Sequence, residues 1–186
     1  WTSKLNTKKR LIFHLSRGCA RNAISHMTGL DPLKIPLKAK PGKAPILGEG
    51  WGYISISHCS DALLIGWSSK RIGIDIERKD RKFKAREISK RFFSKIENDE
   101  ITNLSPTQIQ EQVLKRWTIK EATIKSKGEK LATNLNQWIW ENNTSFAYHY
   151  SNKHKVKVFN RNYKYWTYSI AVDEKLISLN PILCIN

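Results

Sequence analysis

Four ionisable side chains in two stretches have the types and spacing for chemistry: Asp75 and Glu77 in GIDIERKD, residues 73–80, and Glu121 and Lys125 in RWTIKEATIKSKG, residues 116–128. Read as a β-strand, the first stretch sends Ile74 and Ile76 to one face and Asp75 and Glu77 together to the other. Two neighbouring carboxylates repel, so a fold keeps such a pair only with something cationic between them. In the second stretch, helical spacing sets Leu114, Trp117, Glu121 and Lys125 on one stripe, so an acid and a lysine four apart share a face with core residues. Each stretch also has a plain reading. Glu121 and Lys125 alone make a surface ion pair worth about 0.3 kcal/mol, and Asp75 and Glu77 alone are the solvated face of an edge strand.

The elements that must position these groups are legible around them. Residues 8–28 read as an amphipathic helix with apolar Leu11, Leu15, Ile24 and Met27, Arg17 and Arg21 between them, and Gly29 as the stop. Residues 31–50, with four prolines and three glycines, form a loop-rich connection. Strands are expected at 52–57, 62–68 and 71–77, then a helix at 84–93 with Ala85, Ile88 and Phe92 inward. Ser94 to Glu97 is a capping-box pattern opening a further short helix. Ser105-Pro106 starts the long helix that carries Glu121 and ends at Gly128. Alternation then predicts strands at 138–140, 146–150, 156–159 and 165–172.

Composition bounds the rest. A chain of 186 residues, 40% apolar with seven tryptophans, is long enough to bury a sizeable core. No apolar run reaches membrane-spanning length and the charged start is no secretory signal. Cys19, Cys59 and Cys184 are odd in number and lack metal-type spacing, which favours reduced thiols in a cytoplasm. A net charge of +17 implies an anionic partner, phosphate, nucleic acid or acidic protein, without selecting one.

The two stretches together narrow the choice. A D-x-E on a strand followed by W-T-x-K-E-A-x-x-K on a helix ending in Gly resembles the signature of the 4′-phosphopantetheinyl transferases, carried here by Gly73, Asp75, Glu77, Trp117, Lys120, Glu121, Ala122, Lys125 and Gly128. Further stretches resemble the larger, Sfp-type branch: SRGCAR at 16–21, GKAP at 42–45, ISISHC at 54–59 and RFFSKIENDEI at 91–101. The departures are Ser55 for the usual Asn, Cys59 for a second Ser, and the inserted Ala44.

The resemblance implies an α+β fold of two similar halves, residues 1–72 and 73–186, forming an intramolecular pseudo-dimer with the active site in the cleft between them. It implies a monomeric cytoplasmic enzyme that moves the phosphopantetheine arm of coenzyme A onto a serine of an acidic apo carrier protein, acyl or peptidyl, releasing adenosine 3′,5′-bisphosphate. By that resemblance Asp75, Glu77 and Glu121 would hold Mg²⁺, with Mn²⁺ as a substitute, and the ion between the carboxylates would make the pair tolerable. Glu121 would also take the serine proton, and Lys125 would stabilise the leaving bisphosphate. Lys43, Ser57, His58 and Arg17 would hold the nucleotide and its 3′-phosphate, joined by Lys125 at the pyrophosphate. Trp117 would anchor the catalytic helix in the core, and Arg21 would either add charge or pair inside the fold. The basic tract 78–86 would be a solvated face or a docking face for the carrier.

Two other classes compete. A basic nucleic-acid-binding module would account for the charge and the aromatics, but carboxylates on its binding face would oppose a phosphate backbone. A decayed transferase kept as a scaffold would not be expected to retain every metal and lysine position.

Overall fold

Local chemistry sets the element boundaries in the computed structural model, which describes residues 6–172. Helix α1 (Thr7–Thr28) is opened by the Asn6 side chain accepting from Lys9 N and closed by Gly29. A short 3₁₀ turn (Pro32–Lys34) leads through the loop to strands β1 (Tyr53–His58), β2 (Leu63–Ser68) and β3 (Ile72–Arg78). Helices α2 (Ala85–Phe92), α3 (Lys95–Asp99) and α4 (Pro106–Lys127) follow. Ser94 and Glu97 complete the expected capping box on α3, and Ser105 and Gln108 make a second one on α4. Gly128 ends α4 at φ +69°, a left-handed conformation that a side chain would strain. After α5 (Leu131–Asn134) come β4 (Trp138–Trp140), β5 (Phe146–His149), β6 (Lys155–Tyr163) and β7 (Trp166–Val172).

Among the described residues two antiparallel sheets result, of unequal size. β1 and β2 form a hairpin by themselves, while the second sheet has the order β3-β7-β6-β5-β4. Odd-numbered β3 residues face α4, where Ile119, Ala122 and Ile124 pack with Trp138, Trp140, Val156, Val158 and Ala171. Even-numbered residues Ile72, Ile74 and Ile76 face the other way and pack with Leu64 of β2 and with Ile170 and Val172. The sheet is therefore covered on both sides at β3. Gly73 shows how close α4 comes: a Cβ there would overlap the Ala122 carbonyl and the Ser126 amide. Gly73→Ala should cost about 1–3 kcal/mol by overpacking, read as a lower melting temperature. An unchanged melting temperature would mean that α4 sits further from β3.

Two expectations need correction. In α1 the buried stripe is Ser16, Ala20 and Ile24, while Leu11, Leu15 and Met27 lie exposed. The small residues let the helix approach Ile35, Leu37 and Ile54 closely, and that packing outweighs the bulk of the leucines. β6 runs to Tyr163, beyond the expected 159, because Asn160 to Tyr163 pair with Trp166 to Ser169 across a tight hairpin. These residues have a polar pattern, so only the pairing makes them strand.

Beneath α4 lies a buried ionic hub. Lys120, fully buried, donates from Nζ to Glu97 Oε2 (2.8 Å), Leu135 O (3.0 Å) and Trp138 O (2.5 Å). Glu97, equally buried, also accepts from Ser94 N (2.8 Å) and Trp140 N (3.2 Å). One ion pair thus ties α3, α4 and the edge of β4 together. Cys19 and Cys59 are free thiols, and Cys184 lies outside the described residues, as do the far ends of both proposed halves. No described helix is long and apolar enough to cross a membrane.

Candidate active site

Asp75 is the centre of the site. Its strand places it against α4, and burial leaves it 3% exposed. Oδ1 accepts from Ser57 Oγ (2.7 Å) and from Lys125 Nζ (2.6 Å). Lys125 Nζ also lies 3.2 Å from Glu121 Oε2 and 3.3 Å from Ser57 Oγ. Three elements remote in sequence, β1, β3 and α4, therefore meet at one carboxylate. Side chains stitch β1 to β3 where no backbone ladder joins them: Ser55 Oγ accepts from Ile74 N (3.2 Å), one residue before Asp75. Ser55, a departure from the resembled pattern, thus fixes the seam.

The electrostatics follow from that crowding. Burial and then the Asp75 carboxylate push Glu121 up to about 7, against Lys125. Burial opposes the charged form of Lys125, but Asp75 and Glu121 outweigh it and hold the ammonium above the ordinary lysine value. Glu77 is raised by burial in spite of its ion pair with Arg81. His58 stands at the solvent-facing end of β1, and partial burial, then Lys125 and Arg17, hold its ring below the ordinary histidine value.

The structure answers the question raised by the paired acids with cations of its own. Lys125 bridges Asp75 and Glu121, and Arg81 takes Glu77. Among the described residues, no three His, Cys, Asp or Glu side chains are gathered closely enough to hold a metal ion as they stand. The donor set nonetheless fits a hard divalent cation. Asp75 Oδ2 is buried without a hydrogen-bond partner, which is costly unless a cation takes it, and the nearby acids offer only oxygen.

The remaining expected residues divide. Arg17 reaches the site through its field on His58. Its guanidinium sits 4.1 Å over the Phe13 ring and donates to Ser16 Oγ (2.8 Å), while Nε is buried and unpaired. Ser57 is committed to Asp75 and Lys125, so its first task is positioning. Lys43 is exposed beyond the Lys40 turn and makes no side-chain hydrogen bond or ion pair among the described residues. Arg21 clamps the carbonyls of Ile35 and Leu37, a structural task. Trp117 packs edge-on to Phe92 beside the core, as anticipated. In the tract 78–86, Arg78 is engaged by Asp61 and Asp80, and Lys79, Lys82 and Arg86 are exposed. Sequence reasoning missed Arg81 as the partner of Glu77, although four residues across a turn was a spacing that invited it.

Asp75, Glu77, Glu121 and Lys125 stand in a region that known proteins share. Residues 71–174 match the family model described as the 4′-phosphopantetheinyl transferase superfamily. The chain is 33% identical over 119 residues to a 4′-phosphopantetheinyl transferase of Bacillus subtilis, covering 63% of this chain and 52% of that protein. It is 31% identical over 119 residues to the Sfp transferase of Bacillus subtilis strain 168, with the same coverage. It is 27% identical over 125 residues to the HetI transferase of a Nostoc species, covering 64% of this chain and 53% of the relative. The chain spans about half the length of these curated relatives. It belongs to the 4′-phosphopantetheinyl transferase superfamily.

Proposed function

We propose that this chain transfers the 4′-phosphopantetheine arm of coenzyme A to a serine hydroxyl of an acidic apo carrier protein. The observation that carries the reading is the convergence of Asp75, Glu121 and Lys125 on one buried spot, with an unpaired carboxylate oxygen facing it. Asp75, Glu77 and Glu121 would hold a divalent cation, Mg²⁺ or Mn²⁺, which when bound offsets the charge of the pyrophosphate. Arg81 would have to release Glu77 for that carboxylate to reach the ion.

The chain's own groups then have distinct tasks. Glu121 takes the proton of the attacking serine as a general base. The serine oxygen forms the new P–O bond to the phosphorus that bears the pantetheine arm. The pyrophosphate bridge breaks, and adenosine 3′,5′-bisphosphate leaves with the electron pair. Lys125, at the last turn of α4, donates to the phosphate that gains this charge. Arg17 and His58 hold the nucleotide's 3′-phosphate, with Lys43 closing over it from its loop, and Ser57 keeps Asp75 and Lys125 aligned. Residues 1–72 and 73–186 act as the halves of an intramolecular pseudo-dimer, with the site at the β1–β3 seam, so a single chain suffices in the cytoplasm. The net charge of +17 suits an acidic carrier and speeds its encounter.

The test is direct. Incubated with coenzyme A, Mg²⁺ and a panel of apo acyl and peptidyl carriers, the protein should raise the intact mass of at least one carrier by one phosphopantetheine unit, and excess chelator should abolish this. Transfer undiminished by chelator would remove the metal from the reading, and no transfer to any carrier would remove the activity. The competing nucleic-acid module has no observation in its favour beyond the net charge and the aromatic content.

A further inference from the structure

The cation on Glu77 is held differently from the one on Asp75. β3 ends at Arg78, a turn closed by Arg81 N donating to Arg78 O (3.2 Å) folds the chain back, and the Arg81 guanidinium returns to pair with Glu77. The Arg81 backbone is fixed, since its carbonyl accepts from Gln110 Nε2 of α4 (2.9 Å). The side chain is 40% exposed, and while it pairs with Glu77 its guanidinium carbon lies 5.7 Å from the centroid of the Phe83 ring. Arg81 therefore has one anchored end, one carboxylate partner, one aromatic neighbour and a solvent-facing side. Arg81 touches none of the groups assigned to the proton or the leaving group, whereas Lys125 does.

We propose that Arg81 is a counter-ion latch on Glu77, holding the third carboxylate of the site and setting the affinity for the divalent cation. This rests on the metal reading above. With the latch on, the acids are neutralised from within the chain and the site stays folded without metal. Cation entry needs a Glu77 oxygen, so Arg81 must swing out toward solvent, and the broken ion pair is subtracted from the cation's binding. Arg81 is a positioning residue, acting through Glu77.

Mn²⁺ binding tests this without any turnover, by the loss of the electron paramagnetic resonance signal of free Mn²⁺ as protein is added. Arg81→Gln should bind Mn²⁺ about three- to tenfold more tightly than the wild type, and Arg81→Lys should lie between them. Lys82→Gln removes the same charge from an exposed neighbour that pairs with nothing among the described residues, and should change the affinity by less than about twofold. Asp75→Asn reports whether the bound ion occupies this site, and circular dichroism confirms that each variant is folded. If Asp75→Asn abolishes binding but Arg81→Gln matches Lys82→Gln or binds more weakly, the latch is overturned and the metal site stands. If Mn²⁺ binding ignores Asp75→Asn, or no variant binds it, the metal reading falls and the latch with it.

Discussion

Replacing Glu121 with Gln should lower turnover by at least about 10²-fold, the scale of losing a general base. The variant keeps the shape of the side chain and its place on α4 while removing both the proton acceptor and an anionic oxygen from the site. Steady-state rates with coenzyme A and a carrier check this, and a near-normal rate would show that the serine proton goes elsewhere. The same variant has a second signature in the metal-free protein. Glu121 rises from 4.5 in the open chain to about 7 in the fold, so the folded state keeps its proton where the unfolded chain has lost it. A raised carboxyl contributes to stability as long as both states are protonated, and the contribution is lost as pH rises from about 4.5 through about 7. Wild-type stability should therefore fall across that window by on the order of 1–3 kcal/mol. Glu121→Gln, which cannot titrate, should show a flatter profile in thermal melts at a series of pH values. Parallel profiles would mean that Glu121 titrates near its ordinary value.

Breaking the Lys120–Glu97 pair should be the largest stability loss. Removing one member of a buried ion pair leaves the other charge without compensation, at about 3–5 kcal/mol. Here the remaining charge would also face backbone groups chosen for its partner: Leu135 O and Trp138 O accept from Lys120, while Ser94 N and Trp140 N donate to Glu97. Lys120→Met should thus lower the denaturant midpoint sharply and leave a chain that unfolds near ambient temperature. The double variant Lys120→Met/Glu97→Gln should recover part of the loss, because no lone charge remains. A single variant as stable as the wild type would show that water reaches the hub. The ion pair lies one residue from Glu121, so the hub also sets the register in which α4 presents Glu121 and Lys125.

What the sequence determined by itself was local. Helix ends were legible because caps act within four residues: Ser94 with Glu97, Ser105 with Pro106, and Gly29 and Gly128 beyond the last turns. The shared faces of Asp75 with Glu77 and of Glu121 with Lys125 were equally legible, since strand and helix periods fix them without reference to the rest of the chain. The resemblance then named the family from those same residues.

Only the tertiary structure decided what meets them. That Ser57 turns to Asp75 and that Lys120 finds Glu97 are contacts across long stretches of chain, with no local pattern to announce them. The buried stripe of α1 went to Ser16, Ala20 and Ile24 because closeness of packing, decided by the partner surface, counted for more than the hydrophobicity of Leu11 and Leu15. The paired carboxylates likewise required a cation on electrostatic grounds alone. Which cation it is depends on where folding brings charge. Folding brings Lys125 and Arg81, because ion pairing at short range takes whichever charge the packed elements deliver.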